Sequence, residues 1–154
     1  MLKHFEELLS CLNANGVRYL VIGGYAVRLH AQPRATKDLD LFYSPDARNA
    51  EVLFRALVDF GAPLSGLRAE DLSDSNNFFR FGNPPLRVEL LPIIDGVDFE
   101  SAWSRRIEGQ LDSIAGFPVH FIGRDDLIAA KLATGRLQDL ADVEALRAAN
   151  RSRE

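Results

Sequence analysis

A pair of glycines between two short apolar runs limits the fold of this chain more than any other feature. Residues 17–22, Val-Arg-Tyr-Leu-Val-Ile, are short, β-branched and mostly apolar, which predicts a buried strand. Gly23 and Gly24 stop it, a short helical segment follows over 25–30, and Pro33 interrupts that. Leu39–Tyr43 then predicts a second strand, beginning at Lys37 or Asp38.

The rest of the chain extends this pattern. Leu2, Phe5, Leu8, Leu9 and Leu12 fall on one face of a helix that Asn15-Gly16 ends. Ser44-Pro45-Asp46 opens a helix to about Phe60, with Pro45 in its first turn and Val52, Leu53, Leu57 and Phe60 toward the core. Residues 61–77 predict a loop with one helical turn at Ala69–Ser73. Strands over 77–82 and 86–91 are joined by Gly82-Asn83-Pro84-Pro85, a hairpin signal. Residues 99–105 predict a short helix, 118–122 a strand, and 124–134 and 137–149 two closing helices. Trp103, Phe78 and Phe79 are expected in the core, and His30 and His120 as packing residues. The order implies an α/β or α+β fold: a mixed β-sheet flanked by helices, with C-terminal helices.

At 154 residues and 47% hydrophobic, the chain suits one domain over 1–150, with 151–154 as a frayed tail. With 22 acidic and 18 basic residues the net charge is −4, so no global positive field holds a long nucleic acid. An acidic site that attracts phosphates once a cation is bound fits this balance better. Cys11 is the sole cysteine, expected as a small buried residue, which excludes an internal disulfide and suits a reducing compartment. The N-terminus carries acids where a signal peptide would be apolar, and no run approaches a membrane span, so the expected location is cytoplasmic.

Chemistry concentrates in Asp38-Leu39-Asp40-Leu41-Phe42. Residues two apart on a strand share a face, so Asp38 and Asp40 stand side by side in an apolar segment. Their repulsion grows with burial, and a hard cation such as Mg²⁺ (or Mn²⁺) relieves it. Two solvated aspartates on an exposed edge is the plainer alternative. Gly23 and Gly24 allow backbone to approach a phosphate at a helix start, or simply form a turn. Glu89 is the one acid of an apolar strand. It is either a third ligand beside Asp38 and Asp40 or a partner of Arg87, two residues away.

Together, residues 23–30 and 34–41 resemble the nucleotidyltransferase superfamily, in particular the small bacterial proteins related to abortive-infection toxins. Lys131, Arg136, Asp139 and Asp142 are similar to the Lys…Arg-X-X-Asp-X-X-Asp element of that branch. The resemblance implies metal ligation by Asp38, Asp40 and Glu89. It implies phosphate contacts from Gly23, Gly24 and Lys131, with Asp139 positioning substrate or the lysine. Arg34 and Thr36 lie just before the aspartate pair and are candidates for facing the triphosphate or for capping the strand. The family more often has Asp where Glu89 stands.

The implied reaction moves a nucleoside monophosphate from a nucleoside triphosphate to an acceptor hydroxyl, releasing pyrophosphate. The acceptor is open between RNA, protein and a small molecule. A tRNA end could dock on Arg28, Arg34, Lys131 and Arg136. The alternatives are a nucleotide-binding module without turnover, as one half of a toxin–antitoxin pair, and a purely structural domain.

Overall fold

The structure is a computed structural model, which describes residues 2–31, 36, 38–83, 87–111 and 116–153. Its centre is a six-stranded mixed sheet in the order β3-β4-β2-β1-β6-β5. The strands are β1 (Tyr19–Ile22), β2 (Leu39–Tyr43), β3 (Phe79–Phe81), β4 (Val88–Leu91), β5 (Ile107–Gly109) and β6 (Val119–Phe121). The helices are α1 (Leu2–Ala14), α2 (Gly23–His30), α3 (Ala47–Phe60), α4 (Phe99–Ser104), α5 (Arg124–Thr134) and α6 (Leu137–Arg153).

The two apolar runs at the opening of the chain become the middle of this sheet. β1 pairs antiparallel with β2, and β2 runs parallel to β4. Leu39, Leu41, Phe42 and Tyr43 are buried, so β2 is covered on both faces and Asp40 is its single position that is not. On the other side, β1 is parallel to β6, and β5 and β3 close the two edges as antiparallel partners. The 3₁₀ turn expected at Ala69–Ser73 is present.

Side-chain hydrogen bonds tie the helices to the strand ends. Buried Asn49 of α3 accepts from the Arg18 backbone N–H at 2.8 Å, and its amide donates to the Arg18 carbonyl at 3.0 Å and the Ser44 carbonyl at 2.8 Å. That holds α3 over the start of β1 and the end of β2. His30, the last residue of α2, is buried with Nε2 2.7 Å from the Ile122 carbonyl oxygen, a packing role.

Several boundaries differ from the sequence expectation. α2 begins at Gly23, so the glycines form its first turn directly after β1. Pro45 lies outside α3, because Asp46 is the cap and its carboxylate accepts from the Asn49 N–H at 2.8 Å. β5 has no signal of its own in Ile-Glu-Gly; β6 supplies its pairing. Phe78 is not in the core: it is 58% exposed, because it precedes edge strand β3, and Arg80 lies over its ring. Phe79 is half-buried, as is Trp103, which stacks on Phe99. Cys11 is half-buried rather than fully buried, and burial pushes its thiol up, away from reactive thiolate character. α6 continues to Arg153, past the expected end at 149.

Candidate active site

Strand register assembles one row of side chains across the sheet. Ile22 is opposite Asp40, Asp40 opposite Glu89, and Glu89 opposite Arg80. Directly paired residues share a face, so two carboxylates from distant segments become neighbours beside the start of α2. Arg80 was not anticipated. Its Nη2 is 2.8 Å and its Nε 2.9 Å from Glu89 Oε1. The expected alternative partner, Arg87, does not take that place.

Gly23 brings the backbone against the carboxylate. Its φ is +69°, and a Cβ there would overlap Asp40 Oδ2 and lie 3.2 Å from Asp40 Cγ. The glycine is therefore required twice, for the left-handed backbone and for the close approach. Burial, then the charges of Glu89 and Asp38, and then a hydrogen bond with Glu89, push the Asp40 carboxyl up to about 7, against the opposing pull of Lys131. Such a carboxyl sits where it can take up or release a proton near neutral pH.

The opposite wall comes from α5 and α6. Lys131 Nζ is 2.8 Å from Asp142 Oδ2 and 3.5 Å from Asp139 Oδ1, and all three side chains are nearly buried. Asp139 also accepts from the Thr134 hydroxyl at 2.7 Å and from Arg136 Nε at 2.9 Å. Burial works to raise the Asp139 carboxyl, but those hydrogen bonds and the charges of Lys131 and Arg136 hold it below the usual range. Gly135, with φ +66°, caps α5 and turns the chain so that α6 folds back on it.

Between the walls lies a cleft of about 450 Å³, lined by the Gly23–Gly24 backbone, Asp38, Asp40, Lys131 and Arg136 among others. Thr36 and Asp139 also face it. Of the residues singled out from the sequence, Gly23, Gly24, Thr36, Asp38, Asp40, Lys131 and Asp139 therefore converge. Glu89 is the neighbour of Asp40 but faces an adjoining cavity. Arg34 lies outside the described residues. Asp142 also lines the cleft and is the nearer partner of Lys131. Its three-residue spacing from Asp139 was the available signal.

Oxygen donors of this kind suit a hard cation, and the Asp40–Glu89 repulsion is what a cation would relieve. Among the described residues, no three Asp, Glu, His or Cys side chains gather closely enough to hold an ion. Glu89 is engaged by Arg80 instead.

A mixed sheet with an Asp-X-Asp strand beside a glycine-led helix, faced by a lysine bound to helical aspartates, defines a nucleotidyltransferase-like protein. The chain belongs to the family described as nucleotidyl transferase of unknown function (DUF2204), whose model matches residues 1–154. That match extends to the nucleotidyltransferase class and not to the abortive-infection branch. A search of curated proteins finds no match. Among the described residues, no helix is long and apolar enough to cross a membrane.

Proposed function

We propose that the chain is a metal-dependent nucleotidyltransferase that moves a nucleoside monophosphate from a triphosphate to an acceptor hydroxyl. The observation that carries this reading is the cleft itself: carboxylates and glycine backbone on one wall, Lys131 and Arg136 on the other. Triphosphate oxygens bind at the Gly23–Gly24 amides, at the start of α2, where the helix dipole favours negative charge. Lys131 and Arg136 add positive charge across the cleft, and Asp139 and Asp142 hold the Lys131 ammonium in place.

Asp38 and Asp40 would hold Mg²⁺ or Mn²⁺ together with the substrate's phosphates, and Glu89 would join them as third ligand only on exchanging Arg80 for the ion. When bound, the metal supplies neutralisation of the charge on the reacting phosphate oxygens. The acceptor oxygen forms a bond to the α-phosphorus, the bond from that phosphorus to the α,β-bridging oxygen breaks, and pyrophosphate departs. The acceptor proton passes to Asp40 or to its strand neighbour Glu89, which faces the adjoining cavity.

A second reading, a nucleotide-binding regulatory module of toxin–antitoxin type without turnover, is favoured by one observation. Arg80 occupies the carboxylate that would otherwise serve as third ligand.

Incubation with each α-labelled triphosphate, Mg²⁺ and a cytoplasmic cell extract separates the two. The expected result is label on an acceptor, lost in Asp40→Asn. Undiminished transfer by that variant would overturn the mechanism. Mg²⁺-dependent binding of a triphosphate without pyrophosphate release would establish the second reading.

A further inference from the structure

Asp40 lines two cavities, not one. A smaller lobe of about 210 Å³, lined also by Glu89, shares Gly23, Asp40, Lys131, Arg136 and Asp139 with the main cleft. Its own walls are different in kind. Ile22, Leu91, Ile94, Leu127 and Ala130 make it apolar, whereas the main cleft has no such side chains. The polar groups it adds are Glu89, Asp95 and Thr134, and no cation is added among the described residues.

The lobe is built from regular elements. Leu127, Ala130, Lys131 and Thr134 recur at helical spacing, so one face of α5 forms its floor. Ile94-Asp95-Gly96-Val97 forms a tight turn closed by an Ile94–Val97 bridge. Gly96, at φ +82°, lets that turn lie on α5: a Cβ there would be 3.1 Å from the Ala129 carbonyl oxygen and 3.0 Å from the Ala133 Cβ. The close approach fixes exposed Asp95 at the lobe, next to Ile94.

We infer that this lobe is the acceptor site, and that its acceptor is a small amino alcohol with an apolar body. The inference rests on the nucleotidyl-transfer reading. In-line displacement needs a place for the attacking oxygen apart from that of the leaving pyrophosphate, and a second lobe that shares Asp40 with the phosphate-binding cleft offers one. The hydroxyl reaches Glu89 and Asp40, the apolar body fills the space between Leu91, Ile94 and Leu127, and the ammonium faces Asp95. An RNA end fits less well, because the lobe's cations are already engaged: Lys131 and Arg136 are shared with the phosphate-binding cleft and Arg80 is paired with Glu89.

The probes are leucinol and phenylalaninol, their N-acetyl forms, and a short RNA with a free 3′ hydroxyl. Each is followed by ligand-observed NMR and by transfer from α-labelled triphosphate with Mg²⁺. The expected result is binding of the amino alcohols, abolished by Ala130→Leu, which fills the lobe. Asp95→Asn weakens the amines about fivefold, as for one exposed ion pair, and leaves the N-acetyl forms unchanged. Triphosphate affinity and the melting temperature of both variants stay at wild-type values, which shows that they fold. Failure of the amino alcohols to bind, or equal binding by Ala130→Leu, overturns the acceptor site. So does label on RNA or protein instead, while leaving nucleotidyl transfer intact. Loss of triphosphate binding by the wild-type chain would instead sink the parent reading.

Discussion

Replacing Gly23 with alanine separates a backbone requirement from a site requirement. The residue has φ +69°, where an L side chain costs roughly 1–2 kcal/mol. Its new Cβ would also overlap Asp40 Oδ2 and approach Asp40 Cγ at 3.2 Å. Asp40 must then leave its rotamer, at about 1 kcal/mol more. The sum, about 2–3 kcal/mol, corresponds to a fall in melting temperature of roughly 4–12 °C for a chain of this size. Gly16→Ala is the control. Gly16 has φ +67° but nothing within 4 Å of its Cβ position, so it carries the backbone cost alone. Differential scanning calorimetry of both variants, beside labelled transfer, makes the comparison. Gly16→Ala should lose about 1–2 kcal/mol and keep full activity. Gly23→Ala should lose more and transfer little, because the displaced Asp40 no longer faces the cleft. Equal melting temperatures and equal activity in the two variants would refute the claim that Gly23 is shaped around Asp40.

Other perturbations follow from the same geometry. The folded chain keeps the Asp40 proton up to about pH 7, whereas an unperturbed carboxyl releases it near 3.8. The metal-free protein should therefore lose stability as pH rises through that window, by on the order of 4 kcal/mol at most. Asp40→Asn should flatten that slope and raise the melting temperature at pH 8 while abolishing transfer; an unchanged slope in calorimetry would contradict this. Lys131→Met removes the cation from buried Asp142, while Asp139 keeps Arg136 and Thr134, and should cost about 3 kcal/mol in urea unfolding, with Lys131→Arg costing less. Arg80→Met frees Glu89 and should tighten Mn²⁺ binding about fivefold by isothermal calorimetry, the screened worth of a partly exposed pair. Unchanged or weaker Mn²⁺ affinity would remove Arg80 from the account.

The site was legible in the sequence wherever it depended on local periodicity. Asp38 and Asp40, two apart, both line the cleft, although β2 begins at Leu39 rather than at Lys37 or Asp38, and Asp139 and Asp142 share a helix face at spacing three. The glycine that ends α5 and the turn at Ala69–Ser73 also follow from local geometry. Local rules give no information about what lies across a gap in the chain. Glu89 was assigned its strand, with Arg87 or a metal as its partner, and Arg80 was out of view because only the register of β3 on β4 brings it opposite Glu89. Phe78 illustrates the same limit. An aromatic pair reads as core, and the strand's place at a sheet edge left one ring exposed.

What the sequence alone determined is the set of elements and the chemistry each one carries: the acidic strand, the glycine-led helix and the lysine–aspartate helices. Those follow from backbone sterics and side-chain period, which act over a few residues. Only the tertiary structure decided that Asp40 meets Glu89, that Arg80 claims Glu89, and that Asp40 lines both a polar cleft and a lobe with apolar walls. Those depend on which strands pair and in what register. That pairing is a property of the whole core, because a one-residue shift would turn each of these side chains to the other face of the sheet.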